Sequence, residues 1–115
     1  MSKVIVKKQL IKKPTNIKPI TSVSFENGFH FCTNVGNYTG ITATNLSEFD
    51  SKLKIIPTES IKFHFQRKDF EKWIRDTFKD AALAERISSI KEEQSTEDLR
   101  KEILKTLETS ISHSL

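Results

Sequence analysis

A single cysteine, Cys32, stands among 115 residues, so no internal disulfide can form and the chain does not read as a stapled secreted domain. Glycine is almost as scarce, and three of them leave little room for a glycine-rich loop that cradles phosphates. No apolar run approaches the roughly 20 residues that a membrane-spanning helix needs. Lys7, Lys8, Lys12 and Lys13 interrupt the N-terminal apolar residues, which argues against a secretory leader. The spacings C-x-x-C, H-x-x-H and H-E-x-x-H are absent, so no metal signature is present. Together these absences predict a cytoplasmic protein with no membrane segment, no metal and no cofactor.

What remains is enough for one domain. A chain of this length buries roughly 65% of its unfolded surface and needs no staples. Eight Phe, against one Tyr and one Trp, supply much of the core. Charge is unevenly placed. Of a net +4, residues 1–19 contribute +6 through Lys3, Lys7, Lys8, Lys12, Lys13 and Lys18 with no acid, leaving −2 on the rest. The sequence therefore divides into a basic N-terminal arm, 1–19, and a near-neutral domain, 20–115. Val4 and Val6 alternate with polar neighbours and offer a short edge strand. A solvated tail fits equally well, and Pro14 and Pro19 forbid a continuous helix.

From Val23 the period is two. A three-residue loop, Glu26-Asn27-Gly28, pairs Phe25 with Phe29 and Val23 with Phe31 on one face, with Gly28 left-handed. A five-residue loop, 34–38, then sets Thr39 opposite Thr33 and Ile41 opposite Phe31. This predicts an antiparallel meander of two or three strands, with Val23, Phe25, Phe29, Phe31, Ile41 and Ala43 inward and His30 and Cys32 outward.

Beyond it the period lengthens. Asn45 and Glu48 form a capping-box variant ahead of Leu46, Phe49 and Leu53. Residues 58–66 read either way: Ile61, Phe63 and Phe65 alternate, while Ile61, His64 and Phe65 share a helical face, which we prefer. Asp69 caps a helix bearing Phe70, Trp73, Ile74 and Phe78. Asp80 caps another with Leu83, Ala84, Ile87 and Ile90. Ser95 and Asp98 open a last amphipathic helix, 96–111, striped by Leu99, Ile103, Leu107 and Ile111. The expected fold class is small α+β, a meander against three or four helices. The last stripe must bury itself on the domain or on a second copy, as a homodimer would allow.

Several of these residues form a recognisable set: Ser60-Ile61-x-x-His64, Asp69-Phe70-x-x-Trp73-Ile74, Leu83-Ala84-x-Arg86-Ile87 and Asp98-Leu99-Arg100, preceded by Phe29-x-Phe31 and Tyr38-Thr39-Gly40. Across roughly residues 29–107 the chain resembles an uncharacterised prokaryotic family, common in archaea, of unknown function. The resemblance implies a domain boundary and no catalytic residue or cofactor. The lysine arm lies outside it.

Among candidate sites, His64 with Asp69 or Asp76 has the composition of a general base and its orienter. A histidine hydrogen-bonded between helices is the commoner use of such a residue. His30 and Cys32 lack ligand spacing. Trp73 with Phe70, Phe63 and Phe65 suggests stacking, but at helical spacing it reads as core. Asp69–Ile90 resembles a helix-turn-helix, yet its second helix offers only Arg86 beside Glu85 for reading DNA. Lys7, Lys8, Lys12 and Lys13 are the polyanion-binding candidates. The expected function is a non-enzymatic protein-interaction or regulatory module with an unidentified protein partner. The alternative is a nucleic-acid- or ribosome-associated protein that binds through the lysine arm.

Overall fold

A computed structural model describes residues 22–114, with side chains through residue 110. The fold is α+β, a two-stranded antiparallel hairpin covered by five helices. Strand β1, Phe29–Asn34, pairs with β2, Asn37–Ala43. Phe31 lies opposite Ile41, the register that the alternation predicts, and Phe29 lies opposite Ala43. The connecting loop is shorter than expected. Val35 and Gly36 make a tight turn with Gly36 at φ 73°, and Asn34 faces Asn37. The surplus residues become irregularities in the ladder. Cys32 pairs with Tyr38 rather than with residue 40, and Gly40 takes φ 89°. The Thr39 hydroxyl donates to the Phe31 carbonyl at 2.7 Å, satisfying an acceptor on that strand.

The expected first strand is not formed. Phe25–Asn27 is a single 3-10 turn, closed by Asn27 N–H on Ser24 O and Gly28 N–H on Phe25 O. One backbone bond, Val23 N–H to Thr44 O at 2.9 Å, joins this segment to the chain just past β2. Gly28 is not left-handed; its φ is −76°. It is glycine because a Cβ there would lie 2.7 Å from the Ala43 carbonyl oxygen. Trp73 secures the turn from the other side, its indole N–H donating to Asn27 O at 2.9 Å. Phe25, expected in the core, is consequently 60% exposed.

The helices are α1 Leu46–Leu53, α2 Thr58–Arg67, α3 Asp69–Phe78, α4 Ala81–Ser88 and α5 Thr96–Ser114. The helices number five against the expected three or four, since 58–66 is a helix of its own, and left-handed Lys68 and Lys79 separate α2, α3 and α4 at the boundaries that Asp69 and Asp80 mark in the sequence. Residues 58–66 are helical, with Ile61, His64 and Phe65 buried on one face. Asn45 accepts the Glu48 N–H at 2.7 Å, and Asp80 accepts the Leu83 N–H at 3.0 Å. Glu48 reaches back to the amide and hydroxyl of Thr44, which hold its carboxyl below the usual value. Asp69 does not cap. The residue before α3 is Lys68, and it supplies no side-chain cap.

The core is built on rings. Phe49, fully buried on α1, packs against Phe29, Phe31, Phe70 and Trp73 with centroids 5.3–5.7 Å apart. Leu53, Ile56, Ile61, Ile74, Leu83 and Ile87 enclose this group. On α5, Leu99, Ile103 and Leu107 are buried against the same core. That part of the stripe is therefore covered within the chain, without a second copy. Arg100 adds a polar clasp: Nη1 donates to the carbonyls of Leu53 and Ile56 at 2.6 and 2.9 Å, at the end of α1. Glu97 holds the other side of the guanidinium at 3.1 and 3.2 Å.

Candidate functional site

His64 lies where β1, α2 and α3 meet. Its face of α2 points inward because the apolar positions Ile61 and Phe65 bury that side of the helix. The residue is 5% exposed, and its ring is flanked by Phe29 at 4.7 Å, Phe63 at 4.9 Å and Phe70 at 5.7 Å. The Cys32 amide N–H donates to Nε2 at 2.8 Å. A backbone amide can only donate, so Nε2 carries a lone pair and the proton of the neutral ring sits on Nδ1. Nδ1–H in turn donates to Asp69 Oδ2 at 2.8 Å. Arg67 Nε forms an ion pair with the same oxygen at 3.1 Å, and its guanidinium lies over the Phe63 ring at 4.8 Å. The left-handed Lys68 turns the chain so that Asp69, first residue of α3, faces back to α2.

Both ring nitrogens of His64 are thus occupied by the protein itself. A general base must aim a free lone pair at a substrate proton. Here that lone pair holds a strand amide. The His64–Asp69 pair resembles half of a catalytic triad in its distances and differs from it in what the far nitrogen does. It clips β1 to α2 and α3. Asp76 is not the orienter.

Burial pushes the His64 imidazole below its ordinary value and outweighs the opposing pull of Asp69, while Arg67 adds to the lowering. A histidine depressed in the folded state contributes stability that is fully present above the unfolded value of about 6.5 and is lost as pH falls through the folded value. Between about pH 7.5 and 5.5 the parent should therefore lose more unfolding free energy than His64→Gln, whose side chain does not titrate. Denaturant titrations of both at each pH measure this. Parallel losses in the two proteins would mean that His64 is not the linked group.

An open groove of about 470 Å³ passes beside this clip. Phe29, His64 and Trp73 line it together with Arg67, Lys72 and Asp76, and His30 stands at the hairpin side. A second groove, about 520 Å³ between α4 and α5, is lined by Arg86 of the helix-turn-helix reading and contains neither His64, Asp69, His30 nor Cys32. Among the described residues, no group of three or more His, Cys, Asp or Glu is placed to hold a metal ion. Cys32 is half-buried, and its thiol donates to the His30 carbonyl oxygen at 3.7 Å. Lys7, Lys8, Lys12 and Lys13, the polyanion candidates, lie outside the described residues, as do Val4 and Val6.

The rings suggested as a stacking surface do not make one. Phe65 and Phe70 are buried, while Phe63 and Trp73 are half-buried, Trp73 against the core. A row of rings exposed at both ends lies elsewhere, on the outer face of the hairpin. Phe25 stands 5.0 Å from His30, and His30 stands 5.8 Å from Tyr38, centroid to centroid. Thr42 fixes the row: its hydroxyl meets His30 Nδ1 at 2.8 Å and the Tyr38 hydroxyl at 2.5 Å. Alternation places His30 outward, but it cannot show that Phe25 joins it, because the 3-10 turn brings Phe25 there.

No curated protein and no solved structure matches the chain. Among the described residues no helix is long and apolar enough to cross a membrane. A family model matches residues 23–115, which include the hairpin, the His64 clip and all five helices and leave out the lysine-rich segment 1–19. The chain belongs to that family, a family of unknown function designated DUF5752.

Proposed function

We propose that this chain is a small non-enzymatic interaction or regulatory module of the cytoplasm. The observation that carries this reading is the His64 clip. Among the described residues, the one buried histidine with a carboxylate partner has both nitrogens engaged in holding β1 to the helices. The contact surface in this reading is the outer face of the hairpin, where Phe25 and Tyr38 remain 60% and 45% exposed. Exposed aromatics beside one another are costly to leave in water and are common anchors of interfaces.

Affinity capture from native lysate tests this with the full chain and with Phe25→Ala/Tyr38→Ala. The parent should retain a partner near one-to-one, and the double variant should lose it while melting like the parent. Equal capture by both would remove the hairpin face from the interaction.

A second reading, binding of nucleic acid or a ribonucleoprotein through residues 1–19, is supported by the charge distribution. Those residues carry six lysines and no acid. From Asn27 to Ser47 the chain has no Asp, Glu, Lys or Arg, so the hairpin places no acid on its own strands to repel a polyanion.

A further inference from the structure

We propose that the outer face of the hairpin is a base-stacking surface for single-stranded nucleic acid, with Phe25, His30 and Tyr38 as the stacking rings. The inference rests on the second reading above and gives it a surface and a ligand class. His30 and Tyr38 stand on the two strands and Phe25 on the 3-10 turn before them; the rings follow one another at 5.0 and 5.8 Å, inclined by 57° and 86°, and both end rings are exposed. Sequence-tolerant binders of single strands combine such rings with cations that follow the backbone. The rings stack on bases, which duplexes hide and single strands present.

The cations are joined to the rings by the chain. Lys18 is seven residues before Phe25 in the sequence. Five more lysines precede it without an intervening acid. On the far side of His30 the groove carries Arg67 and Lys72. Its two acids are Asp69, already paired to His64 and Arg67, and Asp76. Between these cations the two strands carry Thr and Asn side chains and no charged residue, and Glu26, beside Phe25 on the 3-10 turn, is the acid of that side. A peptide partner of acidic character would use the lysines but has no need of exposed rings at both ends of the face.

The test is a binding titration of the full chain with a labelled 20-nucleotide oligothymidylate, the same length of uridylate, and a duplex. At low salt the parent should bind both single strands, and at least about tenfold tighter than the duplex. Phe25→Ala/Tyr38→Ala should weaken single-strand binding by at least about tenfold, since stacking contributes roughly 5- to 150-fold per base. Its salt dependence should be unchanged. Phe25→Tyr/Tyr38→Phe keeps both rings and should bind like the parent. Gln at positions 7, 8, 12 and 13 should instead flatten the slope of log affinity against log salt by up to about 3, four charges at about 0.7 each.

Three results would overturn the proposal: no binding of either single strand by the parent, equal affinity for duplex, or full affinity in Phe25→Leu/Tyr38→Leu. If the parent ignores oligonucleotides yet captures a protein that Phe25→Ala/Tyr38→Ala loses, the nucleic-acid ligand is rejected and the interaction module stands. Melting curves confirm that each variant is folded, as expected for exposed positions.

Discussion

A chain that stops before Lys91 is expected to aggregate or to lose most of its cooperative unfolding transition. That deletion removes α5, Thr96–Ser114, and with it the buried Leu99, Ile103 and Leu107. Burial of three such side chains contributes roughly 5 to 9 kcal/mol. The whole stability of a domain this size is about 5 to 15 kcal/mol. The deletion also uncovers the apolar surface on which α5 rests, and it frees the carbonyls of Leu53 and Ile56 from Arg100. Denaturant unfolding and light scattering read both effects. A soluble truncation with the parent's midpoint would show α5 to be an appendage. Arg100→Gln is a gentler probe of the same junction, because it leaves the apolar stripe in place.

Phe49→Ala should come next in severity. Phe49 is fully buried, and four aromatic rings from β1 and α3 close on it. Truncating a buried Phe costs about 3 to 5 kcal/mol, because the cavity cannot fully collapse. Here the surrounding rings are held by one another, by the hairpin and, at Trp73, by the bond to Asn27 O. The melting temperature should fall by more than about 12 °C. Phe49→Leu keeps most of the volume and should cost much less. A loss below about 1 kcal/mol in the alanine variant would show that the core repacks freely around this position.

Much of this architecture was legible because it follows local rules. Asn45 and Asp80 cap where a short polar side chain precedes an apolar period, and Ser95 does the same for α5, accepting the Asp98 N–H at 3.1 Å. Phe31 opposite Ile41 follows from alternation on two strands that share one buried face. What escaped the sequence depends on partners far along the chain. Phe25 alternates with Val23 as a strand residue would. Its fate is set instead by Gly28 packing against the Ala43 carbonyl and by an indole from residue 73. Asp69 has the composition of a cap, but left-handed Lys68 turns its carboxylate toward His64. Arg100 clasps carbonyls 44 and 47 residues away, and no local pattern announces that. The composition of His64 and Asp69 suggests catalysis, and only the Cys32 amide on Nε2 decides their role.

That decision is open to direct observation. Two-bond nitrogen–proton correlations of the imidazole, followed from about pH 8 to about pH 6, report which nitrogen carries the proton and where the ring titrates. The account predicts that His64 carries its proton on Nδ1, that Nε2 has the shift of an acceptor nitrogen, and that the ring stays neutral below the ordinary histidine value. A proton on Nε2, or a ring that titrates at or above that value, would contradict the structural clip and restore His64 as a candidate base.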